Sequence, residues 1–369
     1  MKVLTAPEGA GRVPSVAEAR ESRTMRSMSE RHGEVLRAVI KDYIETTQPV
    51  SSRRISQWYL SLSPATVRKV MNELEGLGLL YQAHTSAGRI PTDNGFRCYV
   101  DDILEIKGLT PKERARIRTS FDGGLAEGDD VLRAASHILS TMSNLLGVVR
   151  APRLEQIVVR RIEMLRLGTG RILMVLVSDF GQVHTRVVKT RREHGKVELE
   201  KMCRYLNAVL SGLTLREMYE KIEEEMCSEM VLYDQLRRRA LKLGRQIIGA
   251  SGDTDLYVEE PGRLLSQPEF VDVDRMKSLF RAFDEKLKIL RILDATLESE
   301  GVKILIGSEN ELSDMQGCTF ITSRYMTGSR AAGTVGVIGP TRMDYGRIIP
   351  MVDYVARLVT EYHRDYTAR

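Results

Sequence analysis

Cysteine is scarce in this chain. Its 369 residues hold four, Cys98, Cys203, Cys227 and Cys318, and no two stand at CxxC spacing or join a histidine pair at finger spacing. That spacing excludes a zinc finger and argues against a disulfide framework. The thiols read as reduced and structural, as in a cytoplasmic protein. The six histidines, His32, His84, His137, His184, His194 and His363, are scattered without an HExxH pair, so no metal is expected. No Ser/His/Asp or Cys/His set suggests itself, and the reading is of a protein that is not an enzyme and carries no cofactor. No apolar run reaches membrane-spanning length, and no signal-peptide core is visible. The glycine-rich run Gly333–Pro340 lacks the GKS/T ending of a phosphate loop and opens no helix after a strand. Its glycines read as aids to close strand packing. Arg342 and Asp344, just beyond, could pair and fix their loop.

What is present is ordinary in amount and uneven in placement. A hydrophobic content of 42% is enough for buried cores, and the length suggests two or three domains. The net charge is +5. Residues 1–100 hold 14 Lys and Arg against 10 Asp and Glu, a difference of +4, so most of the excess lies at one end. Residues 1–27 are rich in Ala, Glu, Gly, Arg and Ser without apolar periodicity and are expected to be a disordered tail. A basic arm for the minor groove is the alternative there, built on Arg12, Arg20, Arg23 and Arg26.

The informative stretch runs from Ser51 to Asp93. Within it, SPATVRKVMNELEGLG has the grammar of one helix: Ser63 as N-cap, Pro64 at the first position and Gly78 just past the end. Val67, Met71 and Leu74 share one face. Ala65, Arg68, Lys69 and Asn72 share the other, which is short, basic and carries an amide. Arginine can pair with guanine and asparagine with adenine, each through two hydrogen bonds. Ser51–Tyr59 is a shorter helix, and Leu60–Leu62 is the turn between the two. Leu79–Gln82 is strand-like, His84–Arg89 is a loop, and Ile90–Asp93 returns the chain. The whole reads as a winged helix-turn-helix, with His84 and Arg89 near the wing tip. A helical hairpin in an all-α core, or a winged helix used for protein contacts, fits the same pattern. The candidate DNA-binding residues are Ser63, Ala65, Thr66, Arg68, Lys69, Asn72, His84 and Arg89.

Around this stretch, Ser29–Thr46 is an amphipathic helix with Leu36, Ile40 and Tyr43 on its apolar face, and Asp93–Leu104 is a further helix. Thr110–Glu113 opens another as a capping box, and Asp130–Leu146 follows. The period then changes. Gln156–Leu167, Arg171–Ser178 and Val183–Lys189 are strands of an antiparallel sheet. Val197–Gly249 holds three amphipathic helical pieces, and Val273–Glu298 is a long helix. Val302–Ile306, Thr319–Thr322 and Thr334–Ile338 are strands, and Ile348–Tyr362 is the last helix. The fold class is α+β.

Several runs together resemble one family. LRAVIKDYIETTQPVSSRRI, LSPATVRKVMNELEGLGLL and HTSAGRIPTDNGFRCYVD, with VKILIGSEN and GTVGVIGPTRMDYGRIIPMVDYVA near the end, are similar to the heat-inducible transcription repressor family HrcA. The likeness starts near Met28, so translation is expected to begin at Met25 or Met28. Two departures from the family pattern stand out: Ser51, where Gly is common, and Lys69-Val70, where Asn-Glu is common. The resemblance implies a winged helix-turn-helix over residues 28–104 and a GAF-like domain over 105–199 and 263–369. It also implies an inserted dimerisation domain over 200–262. In function it implies a homodimeric repressor of chaperone operons that binds an inverted repeat in double-stranded DNA, is kept active by chaperonin, and is lost from DNA on heat shock.

Overall fold

The computed structural model describes residues 28–82, 88–122, 128–152, 157–179, 183–190, 193–227, 235–248, 256–259, 262–263, 267–268, 286–327 and 330–367. The expected tail at 1–27 and His84 lie outside them, as does the first half of the helix expected over 273–298. The chain forms two compact units that divide after Glu105.

The first unit is α1 (Glu30–Thr46), α2 (Ser52–Trp58), α3 (Pro64–Gly76), the two-stranded ribbon β1 (Leu80–Tyr81) and β2 (Ile90–Pro91), and α4 (Asp93–Cys98), which continues into a wide helical turn, Tyr99–Ile103. The apolar stripes meet in one core containing Leu36, Val39 and Ile40 of α1, Ile55 of α2, Val67, Met71 and Leu74 of α3, and Phe96. This is a helix-turn-helix with a wing.

The second unit has two layers of different origin. Its main sheet is antiparallel, in the order β7-β3-β10-β9-β8, from β3 (Leu146–Arg150), β7 (Leu256–Glu259), β8 (Val302–Ile306), β9 (Cys318–Thr327) and β10 (Arg330–Pro340). The helices α5 (Pro111–Asp122), α6 (Gly128–Ser143), α10 (Lys286–Leu297) and α11 (Tyr345–Thr367) accompany it, in a GAF-like α+β arrangement. The glycines of β10 allow close approach: a Cβ at Gly336 would stand 2.5 Å from the Ile321 carbonyl oxygen, and one at Gly333 would stand 2.2 Å from that of Arg150. Asp344 does not act as the partner foreseen for Arg342. Its carboxylate accepts from the Arg347 backbone N–H at 3.3 Å and starts α11.

Between β3 and β7, which pair from Gly147↔Glu259 to Arg150↔Leu256, the chain builds a separate body. It comprises the meander β4 (Val159–Gly168), β5 (Arg171–Ser178) and β6 (Val183–Lys189) and the helices α7 (Lys196–Leu210), α8 (Leu215–Cys227) and α9 (Gln235–Ile248). These share one core, which includes Ile162, Met164, Met174, Leu176, Leu199, Leu206, Met218 and Leu241. The expected limit at residue 200 therefore falls inside α7. The hairpin strands expected in the main sheet pack instead against α7–α9, because their alternate apolar residues face those helices. Asn207 of α7 locks the two layers, accepting from the Ile162 N–H at 2.8 Å and donating to its carbonyl at 2.7 Å.

Candidate nucleic-acid interface

The local sequence holds α3 rigidly. Ser63 Oγ accepts from the Thr66 N–H at 3.1 Å, and Pro64 occupies the first helical position. At the other end Gly78 is left-handed, with φ +75°. The Leu79 N–H reaches the Leu74 carbonyl at 3.0 Å and the Gly78 N–H reaches Glu75 at 2.9 Å, so a Schellman motif closes the helix. Val67, Val70, Met71 and Leu74 are buried, while Ser63, Ala65, Arg68, Lys69 and Asn72 are exposed and Thr66 is half-buried. The α3 residues expected to read DNA thus share one outward face, with Thr66 at its edge.

One polar contact ties α1 to that helix, and two more tie α1 to the elements around it. His32 of α1 bonds to Glu73 of α3 at 3.0 Å, while its other nitrogen takes the Ser29 N–H at 3.2 Å. Since Nδ1 accepts there, the proton of the neutral ring belongs on Nε2, facing the carboxylate. Asp42 of α1, with a side chain only 1% exposed, pairs with Arg54 of α2 at 2.5 Å, and the Arg37 guanidinium holds the Ile103 carbonyl at 2.9 Å. Burial, with Asp42 and Glu45 nearby, pushes the Tyr59 hydroxyl up to about 12.

The wing root is tied as closely. Thr92 accepts from the Gly95 N–H at 3.0 Å, capping α4, and donates to the Gly78 carbonyl at 2.7 Å. Glycine is required at 95, where a Cβ would lie 2.1 Å from the Leu79 oxygen. Arg89 pairs through its backbone with Val50, at 2.8 and 2.9 Å. Its side chain, expected near the wing tip, turns inward instead. It is 14% exposed and meets Asn72 Oδ1 at 2.8 Å and Glu75 at 2.9 Å. A carboxylate and an amide oxygen at hydrogen-bond distance draw the guanidinium off the solvent side. A groove of about 600 Å³ lies between α2, α3 and the wing root, bordered by Ser51, Arg53, Arg68, Asn72 and Gln82. Arg53 and Gln82 were not among the residues foreseen. The doublet Arg53-Arg54 was the available signal; both side chains are exposed, and only the buried Asp42 tells which of them is held by an ion pair.

Among the described residues no group of His, Cys, Asp and Glu could hold a metal. Burial raises the Cys98 thiol to about 12 and the Cys203 thiol to about 11, each also beside a carboxylate, so both are unreactive thiols.

Residues 129–349 match the family described as "HrcA protein C terminal domain". The chain belongs to the HrcA family. The HrcA relatives extend the match well beyond that domain. The heat-inducible transcription repressor HrcA of Geobacter sulfurreducens is 45% identical over 337 residues, covering 91% of this chain and 98% of the relative. That of Syntrophobacter fumaroxidans is 44% identical over 340 residues, with the same two coverages. A crystal structure described only as that of a hypothetical protein superposes with a TM-score of 0.65 at 24% identity, covering 92% of this chain and all of that one; it supports the HrcA fold. No described helix is long and apolar enough to cross a membrane.

Proposed function

We propose that the chain is a homodimeric repressor that binds an inverted-repeat operator in double-stranded DNA, with α3 as the reading helix. The carrying observation is the outward face of α3: a basic, amide-bearing surface with a small residue, Ala65, near its start, braced by α1, α2 and the wing root. Arg68 and Lys69 supply charge for phosphate or guanine, and Asn72 supplies an amide for a base edge. Ser63 and Thr66, at the helix start, suit phosphate contacts. His84 belongs to the proposed wing contact, while Arg89 acts on α3 through Asn72 and Glu75.

The proposed dimerisation domain is the inserted body, residues 157–248. Its helices spend their apolar stripes on its own core. Apart from Val197 of α7 and Tyr219 of α8, its exposed large apolar side chains lie on the meander, where Leu165, Leu173 and Val187 stand in one cross-strand row and Val177 and Val183 in another. Leu165 is 54% exposed, Val183 55% and Val187 43%. The two rows are separated by Glu163, Val175 and Thr185, with Arg161 opposite Val177; an exposed sheet face that alternates apolar rows with a charged pair fits a second copy of the same face across a two-fold axis. The relatives named above are heat-inducible repressors; from the family resemblance read in the sequence, we further propose that the operator lies upstream of chaperone genes, that free chaperonin maintains the repressor, and that heat releases it.

The test is electrophoretic and anisotropy titration of duplexes from upstream of chaperone genes. Arg68→Ala should lose about 1–3 kcal/mol of operator affinity and relax preference at one position per half-site. Equal binding of operator and random duplex by wild type would reject the reading.

A further inference from the structure

Asn72 does not offer a free amide. Arginine carries donors only, so the atom facing Arg89 Nη2 at 2.8 Å must be the amide oxygen. Arg89 is itself held from three sides: by Glu75 at 2.9 Å and by both backbone hydrogen bonds to Val50. Gly88 makes this possible, since a Cβ there would stand 2.3 Å from the Val50 oxygen and would push the Arg89 backbone away. The oxygen of Asn72 is therefore committed to a fixed cation, and its NH2 group is what the exposed end of the side chain presents.

From this we infer that Arg89 is a positioning residue that makes Asn72 a donor-only reader of a purine N7. The inference rests on α3 being the reading helix. A free asparagine distinguishes adenine by donating to N7 while accepting from the N6 amino group. With the oxygen turned to Arg89, the second half of that pattern is lost. At the one atom that Asn72 then contacts, adenine and guanine look alike, because both present N7. Glu75 takes part only by anchoring Arg89. The wing root and the reading helix are thus one unit, in which a side chain that touches no base decides how ambiguous one operator position is.

The experiment uses the full chain and duplexes selected by it from a random-sequence pool, followed by a panel in which every base pair of one half-site is varied and each purine is replaced by its 7-deaza analogue. Wild type should show one position at which A and G bind equally within about twofold and 7-deaza substitution weakens binding about tenfold. In Arg89→Ala the freed amide should favour adenine over guanine there by about tenfold, with the ranking elsewhere unchanged. Asn72→Asp keeps a partner for Arg89 and so keeps the fold. It removes the donor, and the preference there should move from purine to cytosine, whose amino group a carboxylate accepts. A uniform loss across the panel in Arg89→Ala, or unchanged base preference in Asn72→Asp, would overturn the inference while leaving α3 as reader. A wild-type chain that selects no sequence from the pool would remove the reading itself.

Discussion

Consider Val187→Glu on the outer face of the β4-β5-β6 meander. Val187 stands opposite Leu173, which in turn stands opposite Leu165, and it is 43% exposed in the single chain. Complete burial of such a side chain is worth about 1.5–3 kcal/mol. The part still exposed can therefore contribute about 1 kcal/mol when a partner covers it. A glutamate there forfeits that gain and must leave water, at a further cost of about 2 kcal/mol or more in a partly wet interface. Two-fold symmetry repeats the change, so the dimer loses about 6 kcal/mol, or roughly four orders of magnitude in dissociation constant. The monomer should barely notice, because an exposed strand position tolerates substitution within about 0.5 kcal/mol. Sedimentation equilibrium on the full chain reads the first effect, and thermal unfolding at low concentration reads the second. Val187→Thr should remain dimeric. A Val187→Glu protein as dimeric as wild type would refute the assignment of this face.

Four further outcomes follow from the geometry. Arg54→Ala strips the buried Asp42 carboxylate of its cation and should lower stability, whereas Asp42→Ala frees a half-exposed guanidinium to water and should lower it less through charge; denaturant titration of the full chain compares them. Burial lowers the His363 imidazole to about 3, so folding disfavours its charged form. The unfolded chain binds the extra proton between pH 6.5 and about 3, stability falls as pH drops through that window, and His363→Phe should flatten the fall in unfolding temperature. Glu113 is held below its usual range by Thr110, first through the side-chain hydroxyl and then through the backbone N–H; the capping of α5 is therefore present above the ordinary glutamate range and lost as pH falls below it, and Glu113→Gln should remove that dependence in circular dichroism. Modest heating should abolish operator binding, and added chaperonin with ATP should restore it in an anisotropy assay; full affinity retained through heat-shock temperatures, with chaperonin making no difference, would reject the proposed switch.

The helix-turn-helix was legible because its signals are local. Ser63, Pro64 and Gly78 mark the limits of α3, and the period of Val67, Met71 and Leu74 marks its buried face. The strand β3 was not legible. Its apolar run, Leu146–Arg150, follows the helix α6 with only Asn144 as punctuation, and a left-handed asparagine at φ +57° is weak evidence without a structure. Reading the helix through to Leu146 hid the strand that defines where the inserted body begins. With β3 missing, the pairing of β3 with β7 could not be foreseen, and the meander was joined to the wrong sheet. Arg89 failed for a similar reason. Its place in a polar loop suggested solvent and phosphate, but its direction is set by Glu75 and Asn72, fourteen and seventeen residues earlier. The exposed face of the meander was half legible: Val183 and Val187 alternate clearly, yet which side of the strand faces the helices is a property of the packed body.

The central claim is that α3 reads an inverted repeat. Footprinting the full chain on DNA upstream of chaperone genes from the same genome tests it most directly, with Arg68→Ala and Asn72→Ala run alongside. Two protected half-sites related by two-fold symmetry, spaced by a whole number of helical turns and lost in both variants, are expected. Protection that is absent, or that both variants reproduce unchanged, would contradict it.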